Sequence, residues 1–307
     1  MQTILGGGGV IGNEVAKSLT QYTKQIRIVS RNPVKANDTD ETFKADLLKA
    51  DEVIAAVEGS SVVYLTAGLP YNIKYWRANW PVVMANVIEA CSRFNARLVV
   101  FDNIYMYHPS SLKYMTEDSV VDPISEKGKV RAMLNRMVFE AINQGRIEAL
   151  IARCADYYGP GGIGTSMLWQ TVIKPLKEGK KANWLGSPDF KHSFTFTPDA
   201  GKATALLGNT DDAFNQVWHL PTAPDPLTGR QWIETFADEF GVKADFRTAP
   251  KLIVRIMGLF VPIMKEMVEM MYQYNRDYIF ASDKFEQRFG IKATPYKEGI
   301  KMIADDY

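Results

Sequence analysis

The chain has 307 residues, of which 46% are hydrophobic and 23% charged, as in globular proteins large enough to bury a sizeable core. Its formal net charge of +1 provides no overall field to attract nucleic acid or an anionic membrane, so we expect neither partner. Its two cysteines, Cys91 and Cys154, lack the spacing of metal ligands, so we predict no metal site and expect buried thiols in a cytoplasmic protein.

The first predicted elements are a short strand that ends in glycine and a helix. Residues 3–5 are an apolar run, glycines occupy positions 6 to 9, and 10–19 has helical apolar spacing. A strand-to-helix turn without Cβ atoms lets a pyrophosphate approach backbone N–H groups, so the stretch predicts a dinucleotide site. Two spacings fit: Gly7, Gly9 and Gly12 as G-x-G-x-x-G, or Gly6, Gly9 and Gly12 as G-x-x-G-x-x-G.

Apolar strands and helices then alternate along the chain as far as residue 158. Continuously apolar strands separated by helices are typical of a parallel sheet that is covered on both faces. We therefore predict an α/β fold with a Rossmann-like, doubly wound parallel sheet. The predicted strands are 25–30, 61–68, 96–102 and 148–154, and the predicted helices are 50–59, 72–94 and 127–143.

The regular alternation ends after residue 158, where glycine, proline and tryptophan become frequent. HSFTFT and VWHLPT are candidate strands, and helices follow them. We predict a dinucleotide-binding domain over 1–158, to which about 191–222 returns. The remaining 159–190 and 223–307 are predicted to form a smaller, mainly helical substrate lobe. We expect this lobe over the carboxyl ends of the strands, where ligands bind in open α/β sheets.

Several segments in the same order resemble the extended and atypical short-chain dehydrogenase/reductases, the NAD(P)-dependent sugar epimerase/dehydratase-like proteins. The similar segments are LGGGGVIG, SVVYLTAG, ARCADYYGPGG, FTFTPDAGKA and SDKFEQRFG. The resemblance implies the G-x-x-G-x-x-G spacing, which leaves Gly8 at a variable position. It places the following residues around the dinucleotide: Gly6, Gly9, Val10, Ile11, Gly12, Ser30, Arg31, Asp46, Leu47, Thr66, Ala67 and Gly68.

The end of the second strand bears on the choice of cofactor. An acidic residue there would bind the adenosine ribose and favour NAD, whereas this chain has Ser30 and Arg31. A guanidinium matches a phosphate group, so we predict NADP, with NAD as the alternative if Arg31 is only a solvated charge. Asp46 resembles the acidic residue beside the adenine ring in the family, and it could equally cap the next helix.

The catalytic positions depart from the family pattern. Active members use a Ser or Thr after the fifth strand and a Tyr-x-x-x-Lys pair on the next helix. In this chain Asn103 stands at or beside the serine position, Lys127 replaces the tyrosine and Arg131 replaces the lysine. Being four residues apart, Lys127 and Arg131 are expected to share one helix face. The usual proton relay is therefore predicted to be missing.

Three hypotheses follow from this departure. In the first, the chain is an NAD(P)-dependent epimerase, dehydratase or reductase acting on a nucleotide sugar or another small carbonyl or hydroxyl compound. Lys127, Tyr105 or Tyr107 then supplies the proton, and Arg131 holds the nicotinamide ribose. In the second, it is a non-catalytic NADP-binding module that senses redox state or regulates a partner. In the third, the helix is misaligned by one turn and an ordinary site lies elsewhere.

Further predictions concern substrate contacts and assembly. The resemblance places four residues near the substrate pocket, where they could contact substrate or fill the core: Tyr107, Tyr158, Trp184 and His192. It also allows a homodimer, since family members often dimerise through the helices that correspond to about 76–94 and 127–143.

Overall fold

The computed structural model describes residues 1–161 and 166–305. The chain forms two compact units. The first unit consists of Met1–Met106, Lys127–Cys154 and Ala200–Leu220, and the second of Tyr107–Glu126, Ala155–Asp199 and Pro221–Tyr307.

The strands, in chain order, are β1 Gln2–Leu5, β2 Ile26–Ser30, β3 Glu41–Lys44, β4 Val62–Leu65, β5 Arg97–Asp102, β6 Ala149–Arg153, β7 Asp156–Tyr158, β8 Ala182–Leu185, β9 Phe194–Phe196, β10 Val217–His219 and β11 Phe246–Ala249. The α-helices are α1 Val10–Leu19, α2 Ala50–Val57, α3 Ile73–Phe94, α4 Glu126–Asn143, α5 Lys174–Lys177, α6 Thr197–Gly208, α7 Gly229–Glu239, α8 Lys251–Met257, α9 Pro262–Met267, α10 Asp283–Phe289 and α11 Tyr296–Asp305.

The first unit is built on a seven-stranded sheet with the order β10-β6-β5-β4-β1-β2-β3. Every pairing in it is parallel, which confirms the predicted doubly wound Rossmann-like sheet. The central strands β1 and β4 are buried along their whole length, because helices cover both faces. Strand β3 was not predicted, because its residues ETFK are mostly exposed at the sheet edge and carry no apolar run.

The second unit contains two short parallel strand pairs, β7 with β9 and β8 with β11, and most of the C-terminal helices. Its core is strongly aromatic. Tyr158 packs against Phe196, Trp232 and Tyr296, with ring centroids between 4.8 and 6.0 Å apart within this group. Aromatic rings bury a large apolar area each, so this core compensates for the small size of the sheets.

The expected buried thiols are confirmed, since Cys91 and Cys154 are both free and buried. Within residues 1–161 and 166–305, no helix is long and apolar enough to cross a bilayer, and no cluster of residues suited to holding a metal ion occurs.

Candidate functional site

The glycine turn after β1 is closely packed on its inner side. A Cβ atom on Gly6 would lie 2.3 Å from the Cα atom of Ala67, and one on Gly7 would lie 2.3 Å from Cγ2 of Ile28. Gly6 also has a φ of +99°, a backbone region that favours glycine. A Cβ on Gly12 would lie 3.0 Å from the Gly6 carbonyl oxygen, so helix α1 can approach the turn this closely only without a side chain.

The outer side of the same turn is open. A Cβ atom on Gly8 would meet nothing within 4 Å, and one on Gly9 would meet only the Gly6 oxygen at 3.5 Å. Gly8 nevertheless has a φ of +90°. The expectation that Gly8 is simply a variable position is therefore wrong in part, because alanine fits the space there but not the backbone conformation.

Helix α1 begins directly behind this open face. Gly9 is its N-cap, with no side-chain cap among the described residues and no acidic residue in the first turn. The first N–H groups of a helix lack intrahelical acceptors and lie at the positive end of its dipole. The N–H groups of Val10, Ile11 and Gly12 are therefore suited to a phosphate, and the open turn leaves room for one.

The ends of three neighbouring strands bring the predicted cofactor residues together. The N–H groups of Gly6 and Gly7 donate to the carbonyl oxygen of Val29, at 2.9 and 3.2 Å, which holds the turn beside the end of β2. Ser30 and the exposed Arg31 follow directly. On the other side of β1, the Thr66 N–H donates to the Leu5 oxygen at 2.9 Å, with Ala67 and Gly68 following.

Asp46 lies before helix α2 but does not cap it. The Asp46 carboxylate accepts a hydrogen bond from the Leu48 N–H at 3.1 Å, and the N-cap of α2 is Lys49. The capping alternative for Asp46 is therefore wrong, and its carboxylate stabilises a local turn instead. The neighbouring Leu47 carbonyl oxygen accepts a hydrogen bond from the Asn86 amide at 2.9 Å, which holds this segment against helix α3.

A buried charged cluster, which we call the Asp102 network, lies at the end of β5. Asp102 accepts hydrogen bonds from the Asn135 amide at 2.7 Å and from the Asn103 N–H at 2.9 Å. Its carboxylate lies 3.5 Å from the Arg131 guanidinium and 3.8 Å from that of Arg153, which also donates to Asn135. Asp102, Asn135 and Arg153 were not predicted as site residues. Asp102 and Arg153 each end an apolar strand, and a charged residue at that position is a pattern that could have indicated them.

Arg131 is held between aromatic rings and this network. Its guanidinium carbon lies 5.0 Å from the ring centroid of Trp76 and 4.5 Å from that of Trp80, both on helix α3. Burial lowers the pKa of Arg131, and the nearby charges of Asp102, Tyr105 and Tyr71 oppose this effect. The Nε atom of Arg131 has no hydrogen-bond partner among the described residues.

Lys127 shares the α4 face of Arg131, as the spacing predicts. Its side chain is fully buried, and its Nζ atom lies 4.6 Å from the ring centroid of Tyr71. Lys127 and Arg131 thus both contact aromatic residues in or just before α3.

The loop after β5 carries the other catalytic candidates. The Asn103 carboxamide oxygen accepts from the Tyr105 N–H at 3.1 Å, so Asn103 forms a turn that positions Tyr105. Tyr105 is half-buried against the core of the first unit, whereas Tyr107, in the second unit, is fully buried. Of the three predicted proton donors, Lys127, Tyr105 and Tyr107, Tyr105 alone keeps partial exposure.

A second polar arrangement lies within the second unit. The Nε2 atom of the buried His192 lies 2.9 Å from the Asp156 carboxylate, which is partly exposed. The His192 ring stacks on Tyr278, with centroids 4.2 Å apart, and Trp184 approaches it edge-on at 6.2 Å. The predicted residues His192 and Trp184 therefore lie together, and Asp156 is a partner that the sequence pattern did not indicate.

Tyr158, another predicted substrate residue, is part of the aromatic core of the second unit. Burial raises its pKa well above the ordinary value, and its hydroxyl has no hydrogen-bond partner among the described residues. A Cβ atom on Gly299 would lie 2.5 Å from this hydroxyl, so helix α11 packs directly over it. Its position thus fits the core-filling alternative.

Known proteins share both the sequence pattern and the fold. The family model described as "NAD dependent epimerase/dehydratase family" matches residues 3–218. A dTDP-6-deoxy-L-talose 4-dehydrogenase (NAD(P)(+)) of Kitasatospora kifunensis is 26% identical over 267 residues, which cover 80% of this chain and 81% of the relative.

Two solved structures share the fold across 99% of this chain. MoeE5 in complex with UDP-glucose and NAD has a TM-score of 0.79 at 17% identity, with 97% of its own chain covered. The UDP-glucose 4-epimerase of Thermus thermophilus in complex with NAD has a TM-score of 0.78 at 15% identity, with 98% covered. Because the family model matches most of the sequence, the chain belongs to the NAD dependent epimerase/dehydratase family.

Proposed function

We propose that the chain is an NADP-dependent oxidoreductase that interconverts a hydroxyl and a carbonyl group on a nucleotide sugar or a similar small substrate. We further propose that Tyr105, rather than the tyrosine of the family pair, handles the proton. The observation that carries this proposal is the position of Tyr105, which lies on the turn after β5 that Asn103 forms and which, of the three candidate donors, alone keeps partial exposure.

The first unit provides the cofactor site. The open glycine turn and the uncapped start of α1 fit a pyrophosphate, which the N–H groups of Val10, Ile11 and Gly12 would hold. Arg31 would contact the 2′-phosphate of NADP. The two structural relatives contain NAD, and the name of the Kitasatospora relative includes both NAD and NADP. When bound, the dinucleotide gives or takes the hydride.

Further cofactor contacts follow from the positions of the strand ends. Ser30 would face the adenosine ribose beside Arg31, and Asp46 and Leu47 would lie beside the adenine ring, as the family resemblance implies. Thr66, Ala67 and Gly68 follow β4, next to the closely packed Gly6. These residues would line the path of the dinucleotide along the sheet edge.

Proton transfer accompanies the hydride. During reduction, the carbonyl carbon gains the hydride while the carbonyl oxygen takes the hydroxyl proton of Tyr105, and oxidation reverses both transfers. A guanidinium beside a phenol stabilises the phenolate, which is the form that accepts the proton in the oxidation direction. Arg131 would therefore do for Tyr105 what the family lysine does for its tyrosine, and the Asp102 network would position Arg131.

The substrate class follows from the relatives. The Kitasatospora relative is named for a dTDP-linked 6-deoxy sugar and for position 4, and MoeE5 was solved with UDP-glucose. We propose a nucleotide-linked sugar that is oxidised or reduced at a ring carbon. The second unit offers His192, paired with Asp156, and Trp184 as candidate substrate contacts.

The second candidate function is a non-catalytic NADP-binding sensor. One observation favours it: Lys127 and Arg131, which are predicted to stand in place of the catalytic pair, both pack against aromatic rings in the manner of structural residues. Such packing would preserve cofactor binding while abolishing the proton relay.

A binding titration followed by a turnover assay separates these candidates. We expect NADPH to bind more tightly than NADH, and single-turnover oxidation of bound NADPH in the presence of at least one dTDP- or UDP-linked keto sugar. Tight NADPH binding without turnover on the whole panel would favour the sensor. Failure to bind either dinucleotide would overturn both candidates.

A further inference from the structure

The second unit exposes an apolar helical hairpin that no described residue covers. This segment, which we call the apolar hairpin, comprises helix α8, the turn 258–261 and helix α9. At its tip Leu259 is 77% exposed and Phe260 is 83% exposed. Six further apolar side chains of the hairpin are each at least 40% exposed: Leu252, Ile253, Ile256, Met257, Val261 and Ile263.

These exposed side chains form a continuous surface rather than scattered exceptions. At about 100° per residue, Leu252, Ile253, Ile256 and Met257 cover an arc of about 140° on helix α8. Val254, on another side of the helix, is fully buried and attaches it to the rest of the unit. Helix α8 thus packs against the second unit through one side and exposes a separate apolar side. An exposed apolar side of this kind is unusual on the surface of a monomeric protein.

The charges of the hairpin and of the strand that leads into it are mostly positive. Residues 246–267 contain four basic residues, Arg247, Lys251, Arg255 and Lys265, and one acidic residue, Glu266. All four basic residues are exposed. The four cations and one carboxylate of this segment sum to +3, whereas the formal net charge of the whole chain is +1.

We propose that the apolar hairpin docks on the surface of an anionic lipid bilayer. Leu259 and Phe260 would enter the boundary between headgroups and acyl chains, and helix α8 would lie in the plane of the interface. The long basic side chains would reach the anionic headgroups while their aliphatic stems stay in the apolar layer. The contact is peripheral, because helices this short cannot cross the bilayer.

The charge pattern favours this partner over a second copy of the chain. A symmetric contact through the hairpin would bring two sets of four cations together with only Glu266 of each copy's segment to compensate them. A lipid surface with anionic headgroups complements the same pattern. The exposed side chains at the tip also project from a turn, which suits insertion into a fluid layer better than contact with a flat protein face.

Vesicle flotation tests the proposal with the 307-residue chain. The probe is a vesicle of phosphatidylcholine and phosphatidylglycerol in equal parts, compared with phosphatidylcholine alone. We expect binding to the anionic vesicles, and a loss of about tenfold or more for the double variant Leu259→Ser/Phe260→Ser. The variant Lys251→Gln/Arg255→Gln should lose a similar factor and should make the remaining binding less sensitive to salt.

A matched control uses another exposed apolar pair of the second unit, Val120 and Val121. The double variant Val120→Ser/Val121→Ser should bind vesicles like the unmodified chain. NADPH affinity should be unchanged in all variants, so the result is independent of the proposed catalytic function. Absence of binding to anionic vesicles would overturn the proposal. So would a dimer, detected by light scattering, that Leu259→Ser/Phe260→Ser dissociates.

Discussion

The Asp102 network makes a quantitative prediction for Asp102→Asn, a change that keeps the shape of the side chain. One Asp102 oxygen accepts from the Asn103 N–H and faces Arg131, while the other accepts from Asn135 and faces Arg153. In either orientation, the asparagine NH₂ group would therefore point at a donor and a cation. Asn135 cannot turn its amide to compensate, because its oxygen already accepts from Arg153.

The expected loss follows from removing the one carboxylate that faces both buried guanidinium groups, those of Arg131 and Arg153. Removing one partner of a buried ion pair costs about 3–5 kcal/mol, and we expect the free energy of unfolding to fall by that amount. The matched control is Asp211→Asn, because Asp211 pairs with Arg97 at 2.7 Å but is 96% exposed. Exposed pairs contribute little, so this control should unfold like the unmodified chain.

Urea unfolding, followed by tryptophan fluorescence, measures the difference, and Trp76 and Trp80 lie directly against Arg131. If Asp102→Asn is too unstable to purify, Asp102→Asn/Arg131→Met provides a second measurement. The double variant should be less destabilised than the sum of its single changes, since it also removes one unpaired cation. A midpoint for Asp102→Asn equal to that of Asp211→Asn would refute the ionic account of this cluster.

Three further predictions test the glycine turn, the cofactor preference and a buried thiol. Gly9→Val should abolish NADPH binding with little loss of stability, whereas Gly8→Ala should lose roughly 1–2 kcal/mol of stability and retain NADPH binding. Calorimetry measures the binding and urea unfolding measures the stability. The reverse pattern would contradict the assigned turn. Arg31→Ala should weaken NADPH by about tenfold or more and leave NADH nearly unchanged, and equal losses in a fluorescence titration would argue against a 2′-phosphate contact. Burial raises the pKa of Cys91 from 9.0 to about 12, so between these values the folded state binds one more proton than the unfolded state and stability should fall as pH rises. Cys91→Ala should remove about 1.4 kcal/mol of this loss per pH unit. If urea unfolding gave the same dependence of stability on pH for the variant and the unmodified chain, the raised pKa of Cys91 would be contradicted.

The features predicted from the sequence are those that depend on local pattern. Continuous apolar runs identified the central strands, and the glycine spacing identified the turn before α1. The edge strand β3 was missed because an exposed strand has no apolar run. The sequence also did not predict that Gly7 has no room for a side chain, because this depends on the position of the Ile28 side chain on the neighbouring strand.

The Asp102 network could not be predicted from the sequence, because it depends on which strands pair and in which register. Asp102 and Arg153 are directly opposite each other only because β5 pairs with β6 in that register. The spacing of Lys127 and Arg131 correctly predicted one shared helix face. No local pattern indicated that Trp76 and Trp80 of α3 would meet that face.

The most direct test of the proposed function is the single-turnover rate of NADPH oxidation by the Tyr105→Phe variant. The rate is measured with a keto-sugar nucleotide that the unmodified chain reduces. We predict a loss of at least about 100-fold in this rate, because the proton donor is gone, with NADPH affinity unchanged. Tyr107→Phe is the control and should retain the rate, since Tyr107 is fully buried in the second unit. An unchanged rate in Tyr105→Phe, or an equal loss in both variants, would contradict the assignment of Tyr105 as the proton donor.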